Sequence, residues 1–203
     1  HSLAFRELGM QRDEVMTDSH YRKFGKAMGI EFKGIYDENI GLHTGDGLGD
    51  KCSRIESLAR MGLRSIDEQM SITNVNDLNA HAVKQYHSAL LAYKKDNGVY
   101  DFTDMLEKYN SELPVDICIF DEAQDLSSAQ YKMAITAASL AGEVYIAGDD
   151  DQAIFGWAGA DVDKFLNLKG QKVTLPNSHR IPKRVHSLAN DVVSRIKNRY
   201  SKK

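Results

Sequence analysis

Two short apolar runs, each ending in a cluster of acids and separated by one helix-length segment, constrain this chain more than anything else in it. Val115-Asp-Ile-Cys-Ile-Phe120 is mostly apolar and β-branched, follows Pro114, and runs into Asp121-Glu122-Ala-Gln124-Asp125. Glu143-Val-Tyr-Ile-Ala147 runs into Gly148-Asp149-Asp150-Asp151-Gln152. Runs of this kind read as buried strands. Between them Ser127 or Ser128 can cap a helix. Its inner face would be Tyr131, Ala134, Ile135 and Ala138, with Gly142 as its stop. Strand, helix and strand in so short a stretch make a βαβ unit, with parallel strands and a right-handed crossover. Lys172-Val-Thr-Leu175 is a third strand candidate. The fold class is α/β with a parallel sheet.

Open parallel sheets bind ligands beyond the carboxyl ends of their strands. Both strands here deliver carboxylates to that end. An Asp-Glu pair there suits phosphoryl transfer to water: one carboxylate holds Mg²⁺ through its waters, and its neighbour polarises the attacking water. A solvated acidic turn would explain one such tip. Two tips, joined by one crossover and each followed by a glutamine, favour chemistry.

The first half reads differently. Residues 21–28, 55–63 and 78–93 carry apolar positions at helical spacing, and Val83, Tyr86, Leu90 and Tyr93 share one face. The glycine-rich stretch Gly41-Leu-His-Thr-Gly-Asp-Gly-Leu-Gly49 reads as loop. From Lys183 the chain turns helical again, with Val185, Leu188, Ala189, Val192, Val193 and Ile196 on one side. No apolar run approaches the roughly 18 residues needed to span a membrane. The two cysteines, Cys52 and Cys118, lack metal-ligand spacing and are too few for a disulfide framework, which points to a reducing compartment. The histidines lack zinc spacing. The chain begins with His1 and shows no secretory leader, which reads as a trimmed product or a cut fragment.

These residues carry a family resemblance. The segment from Val115 to Asp125 resembles the DExQD motif of UvrD/Rep-like superfamily 1 DNA helicases. Gly148-Asp-Asp-Asp-Gln-Ala-Ile-Phe-Gly-Trp-Ala-Gly-Ala160 is similar to their GDxDQxIYxWRGA motif, and Leu175-Pro-Asn-Ser-His-Arg180 to the LxxNYR segment that follows. Tyr100-Asp-Phe-Thr-Asp-Met105 resembles their DFxDL element, and His1-Ser-Leu-Ala-Phe-Arg6 a T-x-H-S motif that touches single-stranded DNA. The matches occur in family order and span nearly the whole chain.

The resemblance implies a partial RecA-like P-loop NTPase domain carrying a helical insertion. Residues 1–10 and 99–178 would belong to the first RecA-like domain, 11–98 to the insertion, and 179–203 to the start of the second RecA-like domain. It implies ATP and Mg²⁺ as cofactors and single-stranded DNA as partner, with replication or repair proteins beside it, in the cytoplasm and away from membranes. By the same resemblance Asp121 coordinates Mg²⁺ and Glu122 is the general base. Gln152 senses the γ-phosphate, Arg180 binds it, and His179 stacks on adenine. Phe155 and Trp157, the only tryptophan, stack on bases in the single-strand channel, and His1 and Ser2 touch DNA phosphate. Core packing of the tryptophan is the plain alternative.

Three departures stand out. Ala158 replaces the family arginine after the tryptophan. His179 replaces a tyrosine and offers less stacking area. No G-x-x-x-x-G-K-[ST] phosphate loop occurs, and the resemblance puts it upstream of His1. Lys51 near the glycine-rich stretch is no substitute, since Asp50 precedes it and Cys52 follows. The leading expectation is therefore a central piece of an ATP-dependent 3′→5′ helicase or translocase, itself inactive. A non-catalytic helicase-like module that binds single-stranded DNA or a protein is the second reading, and an unrelated Mg²⁺ phosphohydrolase the third. The net charge of −3 does not exclude nucleic acid. From Arg180 to Lys203 the chain has eight basic residues against the single acid Asp191, which leaves the rest strongly acidic.

Overall fold

The computed structural model describes residues 2–38, 40–73, 75, 77–175, 179–197 and 199–200. His1 and the Pro176-Asn177-Ser178 part of the third motif lie outside the described residues.

The chain begins with α1 (Ser2–Glu7), then α2 (Asp18–Met28) and a two-residue antiparallel pair, β1 (Tyr36–Asp37) with β2 (Leu42–His43). Three helices follow: α3 (Leu48–Met61), α4 (Ile66–Thr73) and α5 (Ala80–Asn97). Next come α6 (Phe102–Lys108), β3 (Ile117–Phe120), α7 (Ser128–Ala137) and β4 (Glu143–Ile146). The short α8 (Val162–Leu166) and α9 (Lys183–Val193) complete the order.

The helical half forms because its apolar stripes meet around aromatic rings. Tyr21 and Phe24 of α2, Ile55 of α3, and Val83, Tyr86 and Leu90 of α5 make one buried cluster with Phe32 and Tyr36. Phe24 meets Tyr86 edge-on at 5.3 Å between centroids, and Tyr21 meets His43 edge-on at 4.5 Å. Such contacts add about 0.5–1.5 kcal/mol to burial. Asn79 starts α5 by accepting the Ala82 N–H at 2.8 Å.

The glycine-rich stretch is not all loop. Leu42 and His43 pair with β1, and Leu48 and Gly49 already belong to α3. The reason is an internal anion. The buried Asp50 carboxylate accepts N–H groups from Lys33 at 2.8 Å, Gly34 at 3.2 Å and Gly47 at 2.9 Å. Gly34 and Gly45 are glycines because a Cβ on Gly34 would stand 2.1 Å from the Gly45 nitrogen, and one on Gly45 2.3 Å from Asp50. Lys51 lies in the first turn of α3 and is ion-paired to Asp77.

A second core joins α1 to α6 and α7: Ala4, Met105, Leu106, Tyr109, Ala129, Met133 and Ala137 pack together. β3 and β4 pair in parallel, with Ile117 opposite Glu143 and Phe120 opposite Ile146, and α7 is the crossover. Ser127 caps α7, its hydroxyl accepting the Gln130 N–H at 3.3 Å while Gln130 takes the Ser127 N–H at 2.8 Å.

Four expectations are corrected here. Ile135 is exposed, because α7 turns Ala129, Tyr131, Met133 and Ala137 inward. Gly142 does not stop that helix, which ends at Ala137 with the Ala138 N–H on the Ala134 carbonyl at 3.0 Å. Lys172 to Leu175 form no strand; among the described residues nothing pairs with them, and Val173 and Leu175 are exposed. Finally, the two strands are not buried. Alternation along β3 half-covers Cys118 and Phe120 but leaves Ile117 and Ile119 open, Ile119 at 70% exposure. The described sheet has two strands, so each has a neighbour on one edge alone. The apolar side of α9 (Val185, Leu188, Val192) is likewise exposed, as is Ile196 just beyond the helix. No described helix is long and apolar enough to cross a membrane.

Candidate functional site

The two acidic tips lie side by side because their strands are parallel and in register. The Ala147 N–H donates to the Phe120 carbonyl at 2.8 Å and the Ala123 N–H to the Ala147 carbonyl at 3.0 Å, so pairing continues past the strand ends. Asp121 and Glu122 emerge into solvent at the first tip. The Asp121 carboxylate accepts the Glu122 N–H at 2.9 Å. Glu122 sits in the left-handed region, with φ +52° and ψ +39°. A non-glycine residue there costs on the order of 1 kcal/mol or more, and such strain clusters at functional sites. Behind it, a 3-10 turn over Ala123–Asp125 is fixed by the Tyr131 hydroxyl, which donates to the Ala123 carbonyl at 2.6 Å. Burial, then the Glu122 charge, push the Asp125 carboxyl up.

At the second tip a 3-10 turn over Asp150–Gln152 follows Asp149, whose carboxylate caps it by accepting the Asp151 N–H at 3.2 Å. Gln152 is exposed, and its amide donates to Asp149 at 2.6 Å. The basic end of the chain reaches this tip. Arg199 pairs with Asp151 at 2.5 Å, and the Tyr200 N–H donates to Asp150 at 2.8 Å.

Beyond the second tip the turn Gly156–Ala158 carries Trp157 outward at 63% exposure, which sets aside the core reading of that residue. Phe155 is its neighbour, with ring centroids 6.4 Å apart and planes at 48°. Ala158 points the other way and packs against Leu42, Leu58 and Met61. The position that departs from the family arginine is thus used as a contact with α3.

The remaining site residues are not brought together with the tips. His179 and Arg180 lie exposed in the bend before α9, and among the described residues no hydrogen bond or ion pair ties them to either tip. Ser2 is exposed at the start of α1.

Sequence reasoning missed two features. One is Gln124, which the glutamine after the first acid pair signalled but to which no role was given. It is buried between the tips. The other is an ionic cluster behind the site. Arg60 of α3 reaches Asp101 at 2.9 Å, Asp104 at 2.6 Å, Glu107 at 2.8 Å and Glu56 at 3.3 Å. Lys94 of α5 reaches Asp101 at 2.7 Å and Asp104 at 2.8 Å. Burial alone would raise the Asp101 carboxyl, but the Arg60 and Lys94 charges outweigh it and hold it well below the usual carboxylate range. The two aspartates belong to the DFxDL-like element; Arg60 gave no signal because it lies 41 residues before Asp101, and Lys94 because it sits on a different helix.

A parallel strand pair with strained and capped acidic tips, followed by an outward aromatic turn, has clear relatives. The model of the UvrD/REP helicase N-terminal domain matches residues 26–172, which takes in both tips and Trp157 but not Ser2, His179 or Arg180. A DNA helicase II of Rickettsia typhi is 33% identical over 124 residues, covering 52% of this chain and 19% of its own length. A DNA helicase II of Haemophilus influenzae is 35% identical over 88 residues, 41% of this chain and 12% of its own. The ATP-dependent DNA helicase Rep of Buchnera aphidicola is 26% identical over 138 residues, 59% of this chain and 20% of its own. The chain therefore spans a fifth or less of these relatives, and within that span it belongs to the UvrD/REP helicase family.

Proposed function

We propose that this chain is the part of an ATP-dependent DNA helicase or translocase that couples ATP hydrolysis to single-stranded DNA. The observation that carries the reading is the pair of in-register acidic tips, with Trp157 exposed one turn beyond the second. Asp121 is an exposed hard-oxygen donor at a strand end, which fits Mg²⁺ held through waters. When bound with the nucleotide, that ion supplies charge neutralisation on the phosphates. Glu122, the next residue after Asp121, is the general base. Gln152 senses the γ-phosphate from the second tip, and Arg180 and His179 bind the γ-phosphate and adenine. Phe155 and Trp157 stack on bases, and His1 and Ser2 touch the backbone. Movement would be 3′→5′, in the cytoplasm, among replication or repair proteins.

The domain reading stays as residues 1–10 and 99–178 in one RecA-like unit, 11–98 as insertion and 179–203 as the start of a second unit. The core joining α1 to α6 and α7 supports the first grouping. The sequence has no G-x-x-x-x-G-K-[ST], so the 203-residue chain by itself should not turn over ATP.

Stacking on an exposed aromatic is worth about 1–3 kcal/mol per base. Titrating the chain with oligo-dT should quench Trp157 fluorescence, and Trp157→Ala should weaken binding about 5- to 100-fold. No quenching and no change in affinity would remove the DNA reading. ATP turnover by the purified chain, stimulated by DNA, would sink the expectation of inactivity.

A further inference from the structure

Gln124 is only 1% exposed, yet both ends of its amide are used, each on a different tip. Its NH₂ donates to Glu122 Oε2 at 2.9 Å and to Asp125 Oδ2 at 3.2 Å. Its carbonyl oxygen accepts the Asp149 N–H at 3.0 Å. The amide can be turned only this way, since the carboxylates need donors and the N–H needs an acceptor. From Asp149 the chain of contacts continues, because the Asp149 carboxylate holds the Gln152 amide at 2.6 Å. Gly148 leaves the passage open: a Cβ there would stand 2.6 Å from the Gln124 carbonyl oxygen and 3.0 Å from the Phe165 ring.

We infer that Gln124 is a positioning residue that links Glu122 to Gln152 through Asp149, so that the two tips act as one unit. The inference rests on the roles proposed above for Glu122 and Gln152. Its physical basis is separate from them. A buried amide satisfied at both ends is costly to disturb, and it ties the Glu122 carboxylate to the turn that carries Gln152. A shift of Gln152 toward a ligand therefore pulls on Glu122 through three hydrogen bonds.

Two variants separate the arms. Gln124→Leu removes both, whereas Gln124→Glu keeps an acceptor for the Asp149 N–H and loses the donor to Glu122. In the 203-residue chain, hydrogen exchange at the Asp149 amide should quicken about tenfold or more in Gln124→Leu and stay within about threefold in Gln124→Glu. In the whole protein both variants should lower kcat for ATP about 10- to 100-fold while KM for ATP moves less than about threefold. A purely structural role would instead alter stability and KM together. Should Gln124→Leu not fold, Gln124→Glu carries the kcat arm and Gly148→Ala, which presses a Cβ on the same amide, carries the exchange arm. Unchanged Asp149 exchange in a variant that loses or crowds the contact, or unchanged kcat, overturns the inference. A wild type without ATP turnover overturns the proposed reaction alone, and the exchange result still decides whether Gln124 couples the tips.

Discussion

The helical half and the strand pair handle charge and apolar surface in opposite ways. In the helical half, Arg60 and Lys94 are paired with the buried carboxylates of Glu56, Asp101 and Asp104, with Glu107 at the exposed rim, and the aromatic core around Tyr21, Phe24 and Tyr86 is closed. At the strand pair the carboxylates of Asp121 and Glu122 stand in solvent, and Ile117, Ile119, Val144 and Tyr145 do too. One half keeps its charges for its own architecture. The other presents them, together with uncovered apolar faces, to something outside itself. Internal pairing and exposed charge are thus assigned to different residues.

The largest test of that division is Arg60→Met. It would leave Asp101 and Asp104 with Lys94 alone and Glu56 without its guanidinium, and breaking a buried pair from one side costs about 3–5 kcal/mol. Thermal unfolding followed by far-UV circular dichroism should show the loss; a change below about 1 kcal/mol would mean that the cluster does not hold the helical half together.

Acid offers a second test. Burial holds His43 neutral and pushes its pKa down to about 4, with Arg22 and Arg54 acting in the same direction and Asp50 and Asp18 against it. The unfolded chain binds that proton from about pH 6.5 downward, so the unfolded state gains protons first and stability falls with pH. The loss reaches about 2 kcal/mol by pH 5. Denaturant titrations at pH 7 and pH 5 should differ by that amount, and His43→Phe should shrink the difference. An equal midpoint at both pH values in the wild type would show that His43 is not held neutral.

The smallest effects sharpen the contrast. Trp157→Ala should change stability by less than about 0.5 kcal/mol, because an exposed ring contributes little to the fold. Lys51→Ala should leave Tm unchanged within about 1 °C, since its partner Asp77 is a surface acid. A marked drop in either variant would mean that the supposed outer surface is holding the structure up.

Much of this was legible in local pattern. The strand–helix–strand unit followed from two β-branched runs and a serine cap, and the inward face of α5 from the spacing of Val83, Tyr86 and Leu90. The exposure of Trp157 agreed with its place in a motif, not with its hydrophobicity. What local pattern missed was set by long-range pairing. Arg60 finds Asp104 44 residues away, which no periodicity encodes. The third strand failed because Lys172 to Leu175 has a strand's composition but no neighbour among the described residues to pair with. The strands were expected to be buried because apolar runs usually are, yet burial depends on what covers them, and that is not written in the strands themselves.

The Asp50 carboxylate, clasped by three backbone N–H groups, has one more consequence. A concave row of amides next to a lysine would ordinarily attract a phosphate. Here the chain has filled that seat with its own anion, permanently and at no dependence on what is dissolved around it. The start of α3, the helix whose Leu58 and Met61 receive Ala158, is therefore anchored by a bond internal to the chain.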